Sequence, residues 1–124
     1  MNESAYSFPA QDIDAVYSRL KKTFSHGKTR DLPWRKAQLK QLEKMLRDNE
    51  PALIQALNDD LGKSETEAWT AEIGFLLSDI RHTLKHLQHW AELRPVSTPL
   101  AAQPGRSYLL PEPLGTVLII GAWN

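Results

Sequence analysis

No cysteine occurs among the 124 residues. The chain as it stands therefore has no disulfide, no thiolate zinc ligand and no thiol nucleophile of its own. Long apolar runs are missing too. The longest, Val117 to Ile120, is far shorter than the roughly 20 residues a bilayer span needs. Net charge is also absent, with 15 Lys and Arg against 15 Asp and Glu. Nothing at long range draws the chain to nucleic acid or to an anionic membrane. The opening MNESAYSFPAQDID has neither a basic n-region nor an apolar h-region, so no signal peptide is expected and a cytoplasmic location is the reading. No GxGxxG phosphate fingerprint appears.

The zero net charge hides a division. Residues 19–47 carry ten basic and two acidic side chains, and residues 48–79 carry eight acidic and one basic. With 41% hydrophobic residues the chain is too apolar for disorder. Residues 1–11 read as an arm and 12–93 as a helical segment. Asp12 can cap a first helix, because Ile13, Val16, Tyr17, Leu20 and Phe24 recur every three to four residues; Gly27 stops it. A second helix opens near Pro33, with Trp34, Leu39, Leu42, Met45 and Leu46 as its inner face. Asn49 and Pro51 mark a new start, and Leu53, Ile54, Leu57 and Leu61 form a third stripe up to Gly62.

The fourth helix has the clearest opening. Ser64 and Glu67 have the spacing of a capping box. At 100° per residue, Trp69, Ile73, Leu76, Leu77, Ile80, Leu84, Leu87, Trp90 and Ala91 form one broad stripe, about 33 Å long. GKS at 62–64 lacks the GxxxxGK frame of a phosphate loop, and a helix stop followed by a cap explains it. His82, His86 and His89 fall within about 60° of one another, away from the stripe. That spacing suits a metal, but without cysteine the preferred reading is a solvated face and no metal site.

Residues 94–105 hold three prolines and a glycine and read as a connection. Residues 106–110 and 116–120 then predict two strands, joined through PEPLG, that pair as a hairpin. The second strand does not alternate, because Val117, Leu118, Ile119 and Ile120 are apolar on both faces. Such a run suits a central strand covered on both sides. Two architectures stand at this point: an α/β sheet of which the chain holds only the beginning, or a small α+β domain. Gly121, Ala122, Trp123 and Asn124 follow the strand, where open α/β sheets bind their ligands. By themselves they also make an ordinary turn, with Trp123 as a packing anchor.

LGTVLIIGAWN at 114–124 resembles the segment that enters the active site of the aldehyde dehydrogenase superfamily. FSHGKTRDLPWRKAQLKQL at 24–42, ALNDDLGKSETEAWTAEIG at 56–74 and EPLGTVLIIGAWN at 112–124 resemble its class 3-like branch of fatty, aromatic and coniferyl aldehyde enzymes, in matching order. The resemblance implies an α/β fold in which 106–124 begin a Rossmann-like NAD(P)-binding domain that continues beyond these residues. It implies oxidation of an aldehyde to a carboxylic acid with NAD or NADP, through a cysteine and a general-base glutamate outside the chain. By the same resemblance Asn124 would take the oxyanion-hole role, and Gly121, Ala122 and Trp123 would border the cofactor. The parent is expected to be a homodimer, and this piece alone to be inactive. Two other classes remain as alternatives: an autonomous helical interaction module, and a nucleic-acid binder that uses the basic block. For the latter, charge compensation by the acidic helices is the simpler reading.

Overall fold

The computed structural model describes residues 10–121. Among the described residues five α-helices follow in order: α1 (Ala10–Ser25), α2 (Leu32–Asp48), α3 (Glu50–Leu61), α4 (Glu65–Glu67) and α5 (Gly74–Trp90). A π-helical turn, Ala68–Ile73, joins α4 to α5. Two three-residue strands complete the set, β1 (Arg94–Val96) and β2 (Ser107–Leu109). No helix among the described residues is long and apolar enough to cross a membrane.

The described residues divide into two compact units, residues 32–112 and a smaller one formed by 10–31 with 113–121. In the larger unit the core is Leu46 of α2 with Ile73, Leu77 and Ile80, and Leu39, Leu53, Ile54 and Leu84 pack around it. Ile80, at 2% exposure, sits deepest in this cluster. The predicted boundaries hold at three junctions. Pro33 lies in the first turn of α2, where its missing N–H is needed by no acceptor. Gly62 ends α3 at φ 67°, a left-handed conformation that costs glycine little, and its N–H donates to the Asn58 carbonyl at 2.8 Å. Ser64 Oγ accepts from the Glu67 N–H at 3.2 Å, one half of the expected box.

Three expectations change. Helix α1 already runs at Ala10, so Asp12 lies inside the first turn rather than capping it. There its carboxylate still meets the positive end of the helix dipole. The long fourth helix is not uniform. The π turn uses i→i+5 spacing, so a constant 100° projection fails through it. Trp69, Leu76 and Trp90 stay partly exposed, while Ile73, Leu77 and Ile80 carry the core. The Trp69 ring lies over Gly74, where a Cβ would stand 2.9 Å from ring carbon Cζ3 and 2.9 Å from the Trp69 carbonyl oxygen. Likewise Leu42 and Met45 of the expected α2 face are exposed.

The sheet is the third correction. Strand β2 pairs antiparallel with β1, Arg94 opposite Leu109 and Val96 opposite Ser107, and not with 116–120. The segment read as a bare connection returns the chain through a 3₁₀ turn at Leu100–Ala102. Thr98 Oγ1 accepts from the Ser107 N–H at 2.9 Å and fixes the return. The upstream partner is thus the one brought alongside. Pro95 is tolerated because both strands of a two-stranded sheet are edges.

Candidate functional site

The smaller unit brings α1 beside residues 113–121. Gly115 turns the chain at φ 98°, and a Cβ there would lie 3.5 Å from the Phe24 ring. Beyond it, Val117, Leu118, Ile119 and Ile120 are 59%, 85%, 83% and 85% exposed. No described residue pairs with them in a ladder. The strand expected at 116–120 does not form: these residues have no regular secondary structure, because no neighbouring strand among the described residues offers them a ladder, and their apolar side chains stay largely exposed. Ile13, Val16, Tyr17 and Leu20 of α1 face Val117 and Leu118 across an open groove of about 650 Å³.

Of the expected site residues, Gly121 is described; Ala122, Trp123 and Asn124 lie outside the described residues. Gly121 is exposed, and no heavy atom lies within 4 Å of the position a Cβ would take. Its backbone is therefore open to close approach by a ligand. The GKS stretch is occupied structurally by the α3 stop and the Ser64 cap.

Charged side chains of the larger unit form local pairs. Glu43 Oε1 accepts from Arg47 Nη2 at 3.0 Å and from Arg81 Nε at 3.2 Å. These hydrogen bonds, Arg47 foremost and then Arg81, hold the Glu43 carboxyl below its ordinary value. Lys44 pairs with Asp48, so the basic block meets carboxylates at two of its helical positions. Lys63, with only 7% of its side chain exposed, is held by Glu72. That pair ties the α3–α4 link to the π turn. Its nine-residue separation gives no helical periodicity to read, whereas Glu43 and Arg47 stand at the legible i,i+4 spacing. On α5, His82 and His89 are exposed and His86 is half-buried. Among the described residues no three His, Cys, Asp or Glu side chains gather as a metal-holding group.

Helices, a small antiparallel sheet and an exposed apolar run that ends at a glycine are joined by a match of residues 3–124 to the aldehyde dehydrogenase family. The chain belongs to that family. Its relatives include aldehyde dehydrogenase family 3 comG of Dictyostelium discoideum, 38% identical over 112 residues, with 90% of this chain and 24% of the relative covered. The 4,4'-diaponeurosporen-aldehyde dehydrogenase of Staphylococcus aureus is 42% identical over the same proportions. The dimeric NADP-preferring aldehyde dehydrogenase of Rattus norvegicus is 39% identical over 90% of this chain and 25% of its own length. The chain thus spans about a quarter of the length of these curated relatives. A solved structure of Staphylococcus aureus AldH in its substrate-bound state superposes with a TM-score of 0.78 at 38% identity, covering 82% of this chain and 22% of that one.

Proposed function

We propose that the chain contributes the leading segment of an NAD(P)-dependent aldehyde dehydrogenase, which converts an aldehyde, water and NAD(P)+ into a carboxylic acid, NAD(P)H and a proton. What carries this reading is the family match over residues 3–124, which reaches through GAWN to the last residue. In it, residues 106–124 begin the nucleotide-binding domain, and the uncovered Val117–Ile120 run becomes a central strand once neighbouring strands flank it. The whole protein is read as a cytoplasmic homodimer that uses NAD or NADP.

Asn124 then stands at the carboxyl end of that strand. Attack of a thiolate on the aldehyde carbon turns a neutral carbonyl into an alkoxide. The Asn124 amide N–H donates to that oxygen as charge develops, without adding a formal charge of its own. Loss of one such donor costs about 2.7–4 kcal/mol of transition-state stabilisation. Gly121, Ala122 and Trp123 present backbone to the dinucleotide, and the open space at Gly121 fits that close approach. When bound, the nicotinamide accepts hydride. The thiol has to come from residues outside this cysteine-free chain, so the 124 residues alone are inactive.

The test is aldehyde-dependent reduction of NAD+ and of NADP+ by the intact protein, across fatty and aromatic aldehydes. Turnover is expected, and Asn124→Ala should lower kcat by roughly 10²–10³ with circular dichroism unchanged. Intact protein that reduces neither cofactor with any aldehyde refutes the activity. An Asn124→Ala variant with unchanged kcat refutes the oxyanion role. Turnover by the purified 124-residue chain refutes its dependence on an outside thiol.

A further inference from the structure

His82, His86 and Trp90 recur every four residues on α5, so their side chains stand one above the other. The two imidazole centroids are 4.2 Å apart, and Trp90 stacks on His86 at 5.8 Å with the planes 20° apart. The decisive contact is smaller. His86 Nδ1 lies 2.8 Å from the His82 carbonyl oxygen. A carbonyl oxygen only accepts, so Nδ1 carries the proton, and in the neutral imidazole the free lone pair is then on Nε2. Metal-ligating histidines are held in this way, with one ring nitrogen donating to a backbone carbonyl while the other binds.

We propose that His82 and His86 form an open two-imidazole site for a borderline transition-metal dication such as Zn2+ or Cu2+, with water completing the coordination shell. Ligand nitrogens at 2.0–2.1 Å from a tetrahedral ion stand about 3.3 Å apart. The two rings are neighbours, with centroids 4.2 Å apart and planes tilted by 35°, and the exposed His82 ring has to splay outward for both nitrogens to converge on one ion. His89 shares the helix face, but its Nδ1 lies 3.4 Å from Glu92 Oε2, and the absence of a three-ligand group among the described residues leaves it outside the pair. Imidazole ligands favour Cu2+ over Zn2+. Trp90 is the built-in reporter, since a paramagnetic ion on His86 lies within reach of its ring.

The experiment titrates the untagged, intact protein with ZnCl2 and with CuCl2 by calorimetry, and follows Cu2+ through tryptophan fluorescence. One ion per chain is expected, Cu2+ the tighter. His82→Gln and His86→Gln should each weaken binding at least about tenfold, the lower end of what losing even a supporting partner of a ligand costs. His89→Gln should bind as the unaltered protein does, and Trp90→Phe should keep the affinity while losing most of the quenching. Unchanged affinity in His86→Gln overturns the site, as do equal losses in all three histidine variants or a titration that never saturates. Helix content measured on each variant separates loss of a ligand from loss of the fold.

Discussion

Gly74→Ala sets two effects of opposite sign against each other. In an unstrained helix interior, replacing glycine by alanine gains about 1 kcal/mol, because the unfolded chain loses freedom and the helix gains a better former. Gly74 starts α5 and is helical, so propensity alone predicts stabilisation. The space around it predicts otherwise. An added Cβ would stand 2.9 Å from Trp69 Cζ3 and 2.9 Å from the Trp69 carbonyl oxygen. The indole can swing away, but the carbonyl belongs to the π turn and cannot move without disturbing it. Overpacking of this kind costs about 1–3 kcal/mol. With about 2 taken for the strain and 1 returned by propensity, the net is a loss of about 1 kcal/mol. The assay is urea unfolding of the intact protein by circular dichroism, with the midpoint compared at constant slope. In a Trp69→Ala background the same change should cost about half as much, since the ring contact is gone and the backbone contact remains. A Gly74→Ala protein more stable than the parent by the full propensity gain would refute the steric reasoning.

Ile80→Ala should cost about 2–5 kcal/mol by the same unfolding assay, because a nearly inaccessible side chain leaves a cavity among Leu46, Ile73 and Leu77. Ser64→Ala should cost about 1 kcal/mol through loss of the acceptor for the Glu67 N–H, and Ser64→Asp should restore most of it. Glu43 makes stability depend on acid. Its folded pKa lies below the ordinary 4.5, so its contribution is complete above that value and disappears as pH falls through the folded one. The acid limb of a stability–pH profile should therefore flatten in Glu43→Gln and, in part, in Arg81→Ala. An identical acid limb in Glu43→Gln would dismiss the pair as a stabilising contact.

Local chemistry made much of the helical part readable. Pro33, Gly62 and Ser64 each act within a few residues of themselves, so the α2 and α3–α4 boundaries follow from backbone rules that ignore tertiary context. Features that depend on distant partners were not readable in this way. Pro95 signals a break, yet the chain returning through Leu100–Ala102 places Tyr108 opposite it in a sheet. The π turn leaves no periodic trace, because one wide turn only shifts the phase of the apolar positions that follow. Lys63 would ordinarily be assigned to the surface, and burial becomes acceptable only because Glu72 is there. As for the site, the ending LGTVLIIGAWN pointed to the family without help from geometry, since it reflects ancestry rather than packing. The roles of Asn124, Ala122 and Trp123 depend on placements outside the described residues.

The uncovered run after Gly115 also affects how the polypeptide survives its own synthesis. Val117, Leu118, Ile119 and Ile120 combine strong strand preference with no charge and no proline, the composition that pairs with whatever edge it meets. During synthesis such an exposed stretch is open to non-specific association, and in a test tube at high concentration its nearest partner is another copy of itself. Light scattering that rises with concentration, and falls when Leu118 and Ile120 are both changed to lysine, would be the mark of that hazard.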